Sequence, residues 1–218
     1  MGFYPAGRRT NLMNDGPKKN FWDERFNVPE YVYGTEPNAF LVEVLDRIPN
    51  GPVLCLAEGE GRNAVYLAGR GYDVTAVDSS AVGLEKARKL AAQRSLTIKT
   101  VHADLADYAI GVDCWKGIVS IFCHLPRDTR ALVHRRCVAG LKPGGVLVLE
   151  AYSPRQLEYR TGGPQTLDLL VDLETVKKEL LGLRFERALE TVREIHEGAL
   201  HRGPGSVVQI LGFKSLER

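Results

Sequence analysis

Short apolar runs alternate along this chain with longer segments in which apolar positions recur at helical spacing. The runs predict strands and the segments between them predict helices. Strands separated by helices indicate parallel pairing with right-handed crossovers, because a parallel pair needs a long connection. In chain order we predict strand 53–57, helix 63–69, strand 73–78, helix 81–94, strand 97–102, strand 115–123, helix 128–140 and strand 145–151.

The rhythm changes after residue 151. One more helix is predicted over 173–181, and two strands over 184–194 and 206–213 are joined by a short polar loop. Two strands joined so closely must run antiparallel. We therefore expect a parallel α/β sheet that ends in an antiparallel hairpin.

The N-terminal part differs from this core. Residues 1–20 are rich in Gly, Pro, Asn, Lys and Arg and are expected to form a disordered tail. A short helix is predicted over 21–26, and a second helix opens at 36–38 and runs to residue 46, with its apolar positions on one face. We expect one domain over residues 21–218.

A glycine-rich turn, Ala57-Glu58-Gly59-Glu60-Gly61, follows the first predicted strand, and Asp78 ends the second. This is the layout of a nucleotide-binding βαβ unit. Glycines allow close approach of a ligand to the backbone, and an ionised carboxylate can accept two hydrogen bonds from a ribose diol. The alternatives are a tight turn without a ligand and, for Asp78, a helix cap, although Ser79 and Ser80 are better placed to cap.

Composition narrows the classes of partner. The net charge of +2 gives no reason to expect binding to nucleic acid or an anionic membrane, and no apolar run is long enough to span a bilayer. The N-terminus lacks the pattern of a secretory signal. The four cysteines lack metal-ligand spacing and are expected to be buried free thiols, which indicates a cytoplasmic protein without a metal site.

Four features make residues 50–213 similar to the class I S-adenosylmethionine-dependent methyltransferases, and within them to the tellurite-resistance-type and related small-molecule methyltransferases. They are the glycine loop with Asp78, the His102-Ala103-Asp104-Leu105 segment, the Gly-Leu-Lys-Pro-Gly-Gly segment at 140–145, and the terminal hairpin. The resemblance implies an α/β, Rossmann-like, doubly wound seven-stranded sheet of order 3-2-1-4-5-7-6 with strand 7 antiparallel. Residues 21–50 would form a helical lid on a core of residues 51–213.

The resemblance also implies a site for S-adenosyl-L-methionine. Asp104 would accept from the adenine amine, and the backbone N–H of Leu105 would donate to the ring. The family's acid at the end of the first strand is replaced by Cys55, and Glu58 is a candidate substitute. The candidate cofactor-binding residues are Ala57, Glu58, Gly59, Gly61, Asn63, Asp78, Ser79, Asp104, Leu105 and Phe122.

The predicted activity is methyl transfer to a small molecule by in-line displacement, in a monomer or homodimer. A small acceptor is favoured because the chain has no basic stripe or added recognition domain. His124 is the candidate general base, with a packing histidine as the alternative. Two other functions stay open: a nicotinamide-dependent oxidoreductase, since residues 59–64 fit a GxGxxA fingerprint, and a non-catalytic cofactor-binding module, suggested by Cys55.

Overall fold

The computed structural model describes residues 20–198 and 201–216. Its centre is a seven-stranded sheet of order β3-β2-β1-β4-β5-β7-β6. The strands are parallel from β3 to β5, and β7 is antiparallel to both β5 and β6, which confirms the predicted topology. The strands are β1 Pro52–Leu56, β2 Asp73–Asp78, β3 Lys99–His102, β4 Trp115–Ile121, β5 Leu141–Tyr152, β6 Leu183–Glu197 and β7 His201–Lys214.

Helices connect the parallel strands and precede the sheet. They are α1 Phe21–Phe26, α2 Ala39–Glu43, α3 Arg62–Gly69, α4 Ala81–Gln93, α5 Arg127–Gly140, α6 Gln156–Tyr159 and α7 Leu173–Glu179, with 3-10 turns at Leu45–Arg47 and Leu167–Leu169. The helix predicted to open at 36–38 is shorter than expected, because Asn38 caps α2 by accepting from the backbone N–H of Leu41 at 3.0 Å. Within the described ranges, no helix is both long and apolar enough to cross a bilayer.

The two faces of β1 are both covered. Val53 and Cys55 belong to one apolar cluster with residues of α3 and α4, whereas Leu54 and Leu56 belong to a second with residues of α5 and α7. All four side chains are fully buried. Burial on both faces explains the continuous apolar run in the sequence.

Two strand regions are longer than the apolar pattern predicts. The arms of β6 and β7 stay paired out to Glu197 and His201, so most of the polar segment expected to be a loop at 197–205 is strand. The Pro-Gly-Gly segment at 143–145 lies inside β5, at a shift in register between the pairings of Trp115 and Gly117 with that strand. Backbone pairing extends these strands without apolar alternation, so the sequence pattern could not show it.

Some expectations about individual residues are wrong. Residues 1–19 of the expected tail lie outside the described residues, but Asn20 is an ordered N-cap whose side chain accepts from the N–H of Trp22 at 3.0 Å. All four cysteines are free, yet Cys114 is exposed. His134 is buried beside Glu179, with 2.7 Å between the ring Nδ1 and the carboxylate.

Candidate functional site

A cavity of about 820 Å³ opens at the carboxyl ends of β1, β2, β3 and β4. The strand order reverses between β1 and β4, and ligands of open α/β sheets bind at such a switch point. Residues 57–60, 78–79, 103–106, 121–122 and 124–126, at or after the strand ends, line one part of it, and residues of α1 and of the segments 33–34 and 162–165 line other parts. Nine of the ten candidate cofactor residues line this cavity, as does His124.

Asp78 joins the ends of β1 and β2. One carboxylate oxygen accepts from the backbone N–H of Gly59 at 2.8 Å, and the other accepts from Ser80 at 2.7 Å. Burial raises the pKa of Asp78, while these two backbone donors oppose the shift. Ser80 is the cap of α4, with its hydroxyl accepting from Gly83 at 2.9 Å, so the alternative role of Asp78 as a simple helix cap is not needed. Each oxygen keeps a lone pair for a further donor.

The residues after β3 form the next part of the wall. Asp104 is exposed, and one of its carboxylate oxygens accepts from the N–H of Ala106 at 2.8 Å. Leu105 is buried, with 5% of its surface exposed. The carbonyl oxygen of Ser79 lies 3.0 Å from Nε2 of His102, within hydrogen-bonding distance, and so connects the residue after β2 with the last residue of β3. Asp104 and Leu105 both line the cavity, and a carboxylate and an apolar side chain are groups that can contact a flat heterocycle.

The glycines of the loop serve packing inside the protein. A Cβ on Gly59 would lie 3.0 Å from the ring of Phe26, and a Cβ on Gly61 would lie 2.6 Å from the Cβ of Ala87. A Cβ at either position would therefore meet the protein's own side chains. Gly59 lines the cavity with its backbone, whereas Gly61 is outside the lining and instead lets α3 approach α4 closely.

We expect Gly61→Ala to destabilise the fold by about 1–3 kcal/mol more than Gly71→Ala. Both glycines have a positive φ, +91° and +89°, but only Gly61 has a neighbour against its Cβ; within the described residues no atom lies within 4 Å of a Cβ on Gly71. Urea denaturation of both variants gives the difference. Equal losses of unfolding free energy in the two variants would show that the destabilisation comes from backbone strain at a positive φ and not from contact of the new Cβ with its neighbours.

Glu58 has a structural task in addition to lining the cavity. One of its carboxylate oxygens accepts from the backbone N–H groups of Asn63 at 2.9 Å and Ala64 at 2.7 Å, which caps the start of α3. Burial raises the pKa of Glu58 from 4.5 to about 7, against the lowering effect of these donors. Asn63 is itself held, since its side-chain oxygen accepts from the N–H of Asn38 at 2.9 Å.

The raised pKa of Glu58 predicts a pH effect on stability. The folded protein keeps the proton to higher pH than the unfolded chain, so the free energy of unfolding falls as pH rises from 4.5 to about 7. The fall reaches about 1.4 kcal/mol per pH unit at most. Glu58→Gln keeps an acceptor for both N–H groups and removes the titration. Urea denaturation across this range should show that the free energy of unfolding of the variant rises relative to that of the wild type as pH increases. Parallel curves for the two proteins would contradict the raised pKa of Glu58.

A set of polar side chains, which we call the buried ionic cluster, lies behind the loop. Its members are Asn38, Arg62, Glu150, Arg193, Glu197 and Gln209. Sequence reasoning missed this cluster because its members are distant along the chain. The single available signal was Glu150, an acid inside the apolar run of β5. Arg62 is buried in this cluster.

Residues 21–34 are held over the cavity by hydrogen bonds to α4 and to its N-cap, Ser80. Lys86 of α4 donates to the carbonyl of Val28 at 3.0 Å, and its ammonium also lies 2.5 Å from a carboxylate oxygen of Glu60 in the glycine loop. Asp23 accepts from the hydroxyl of Ser80 at 2.6 Å, and this hydrogen bond is the main cause of its lowered pKa. These contacts place the rings of α1 on one wall of the cavity.

His124 stands at the far end of the cavity, just after β4. Its Nδ1 lies 3.2 Å from the carbonyl oxygen of Leu169, so the neutral ring carries its proton there. Its Nε2 is buried and has no hydrogen-bond partner among the described residues. Burial lowers the pKa of His124 to about 4. The ring stacks on Tyr152, with 5.6 Å between centroids, and Tyr152 in turn stacks on Phe122.

Two cavity residues are in the left-handed region without being glycine. Ala57 directly follows β1 and has φ +48°, and Phe122 directly follows β4 and has φ +51°. Such conformations cost free energy and concentrate at ligand-binding positions. They mark the ends of the two central strands as the places where the backbone is shaped for a ligand.

Comparison with known proteins agrees with this geometry. Residues 53–145 match the sequence model of a family described as a methyltransferase domain. The matched residues are less than half of the chain; together with the sheet order, the match supports the resemblance to class I S-adenosylmethionine-dependent methyltransferases seen in the sequence.

Particular relatives support the same class. The chain is 41% identical over 103 residues to the uncharacterized methyltransferase YbaJ of Bacillus subtilis; the match covers 47% of this chain and 40% of YbaJ, less than half of that relative. In fold it is similar to TehB from Haemophilus influenzae, with a TM-score of 0.68 at 20% identity over 89% of this chain and 66% of TehB. A structure concerning the conversion of a disulfide bond into a thioacetal group during echinomycin biosynthesis is also similar, with a TM-score of 0.70 at 19% identity over 88% and 86% of the two chains.

Proposed function

We propose that this protein transfers a methyl group from S-adenosylmethionine to a small molecule bound in the same cavity, by in-line displacement. The observation that carries the proposal is the hydrogen bond of 2.8 Å between Asp78 and the backbone of Gly59. It brings the candidate ribose ligand and the glycine loop together at the wall of one cavity. Such a joined pair of strand ends is where a nucleoside binds in sheets of this kind.

The residues present fit this cofactor. Asp78 would accept from the ribose hydroxyls, and Asp104 and Leu105 would hold the adenine. The amino-acid end would lie along Gly59 toward Arg62. The Nη1 of Arg62 is buried and has no hydrogen-bond partner in the described part of the chain, so a carboxylate there would satisfy it.

The rest of the cavity suits a largely apolar acceptor. Its walls carry Phe21, Trp22, Phe122, Leu125 and Leu169. Bound S-adenosylmethionine supplies an electrophilic methyl group, so the protein has to align the acceptor and exclude water.

His124 stays neutral at physiological pH, since its pKa is lowered to about 4. His124 would therefore accept a hydrogen bond from the methyl-accepting molecule and so orient it. A role for His124 as a strong general base is disfavoured.

Calorimetry with two ligands tests the proposal against its alternatives. We expect S-adenosylhomocysteine to bind and NAD not to bind. Binding of NAD alone would favour the nicotinamide-dependent oxidoreductase. Transfer of a labelled methyl group to any member of a small-molecule panel would then separate an enzyme from a non-catalytic cofactor-binding module.

A further inference from the structure

We propose that Glu197, near the tip of the β6–β7 hairpin, is a positioning residue that presents Arg62 to the carboxylate of S-adenosylmethionine. The C-terminal hairpin would then belong to the cofactor site as well as to the sheet. This inference rests on the proposed function and adds a residue that sequence reasoning did not single out.

The first step is the pairing of the two side chains. Nη2 of Arg62 lies 2.5 Å from Oε2 of Glu197, and the two side chains are 9% and 6% exposed. Arg62 is the first residue of α3, directly after the glycine loop, and it lines the cavity. Its other terminal nitrogen, Nη1, is buried with no partner among the described residues. A guanidinium carries five N–H donors in a planar fork, so fixing one nitrogen also fixes the direction of the other.

The second step is the charge balance around Glu197. Its Oε1 accepts from Asn38 at 2.9 Å and from Arg193 at 2.9 Å. Burial alone would raise the pKa of Glu197, but Arg62 and Arg193 outweigh it and hold the pKa below its usual value. The two carboxylates of the buried ionic cluster, Glu150 and Glu197, balance the two guanidiniums. The cluster is therefore neutral overall, and Nη1 of Arg62 is a buried donor of this cluster without a partner among the described residues.

The third step is the placement of Gly198, the residue after Glu197. Gly198 has φ +68°, and a Cβ there would lie 2.3 Å from the carbonyl oxygen of Val32. Gly198 therefore packs directly on the backbone next to Tyr33 and Gly34, both of which line the cavity. Glu197 is held from two sides, by its hydrogen bonds and by this contact. Its carboxylate can for that reason define where Arg62 points.

Two ligands separate positioning from a general structural role. S-adenosylhomocysteine carries the amino-acid end, and 5′-methylthioadenosine has the adenosine and thioether without it. Glu197→Gln removes the negative charge and replaces one carboxylate oxygen by an amide NH2 donor, so the charged acceptor of Arg62 is lost. We expect the affinity for S-adenosylhomocysteine to fall about tenfold or more, and that for methylthioadenosine to change less than about twofold, since a charged hydrogen bond is lost only with the first ligand.

The matched control is Glu194→Gln, the same substitution at an exposed position of the same strand. It should leave the affinities for both ligands unchanged. If Glu197→Gln does not fold, Arg62→Lys keeps the charge but loses the fork, and the same selective loss is expected.

Two results would overturn the inference: an equal loss of both ligands, or an unchanged affinity for S-adenosylhomocysteine. A wild-type protein that binds neither ligand would instead refute the proposed function itself. The two failures are therefore distinguishable in one set of titrations.

Discussion

The Asp78→Ala variant is expected to lose at least about tenfold in affinity for S-adenosylhomocysteine. A hydrogen bond to a charged group contributes about 1.5–3 kcal/mol, and Asp78 would make two of them to the ribose. The same carboxylate also accepts from Gly59 and Ser80, so its removal leaves two buried N–H groups unpaired and loosens the loop. Both effects lower the affinity for S-adenosylhomocysteine, and calorimetry measures their sum.

The control for this loss is Asp73→Ala. Asp73 begins the strand that Asp78 ends, and its side chain forms an exposed ion pair with Lys99 at 3.1 Å. Substitution of Asp73 should leave ligand affinity unchanged, because Asp73 lies at the amino-terminal end of β2, opposite the end that carries Asp78. Wild-type affinity in Asp78→Ala would remove Asp78 from the site.

Glu150→Ala is expected to lower the free energy of unfolding by about 3–5 kcal/mol, as found when one partner of a buried ion pair is removed. Glu150 is fully buried, and its carboxylate accepts from Asn38 at 2.8 Å, from the Nε of Arg193 at 3.0 Å and from Gln209 at 2.6 Å. Alanine removes one of the two carboxylates that pair with the guanidinium of Arg193. Urea denaturation measures the loss.

Glu186→Ala provides the comparison on the surface. Glu186 pairs with Arg47, and the two side chains are 35% and 49% exposed. Removing such a pair should change stability by no more than about 1 kcal/mol. If Glu150→Ala cost as little as this, the buried ionic cluster would have to be open to water in solution.

Much of the fold could be predicted from the sequence because its strongest signals are local. The apolar run of β1, the glycines after it and Asp78 at the end of β2 define a βαβ unit by themselves. The hairpin was predicted because two strands separated by a short loop have only one way to pair. Strand ends were less accurate, as in the arms of β6 and β7, since polar residues can pair through their backbones.

The candidate site was predicted in part. Asp78, Asp104 and the loop residues are near each other because they follow adjacent parallel strands, which topology alone dictates. Gly61 shows the limit of such reasoning: its pattern indicated a ligand, but the need for a glycine comes from Ala87 on α4. Contacts between helices are not encoded at a fixed spacing in the chain.

The sequence by itself determined the order of strands and helices, and it predicted a nucleotide-binding edge of the sheet and the resemblance to a class of protein, since each depends on periodicity or on residues close together in the chain. Only the tertiary structure decided that Arg62 and Glu197 are partners, that α1 covers the cavity and that Glu58 caps α3 with a raised pKa. The physical reason is that burial, and the pairing of charges that burial demands, depend on how distant segments pack.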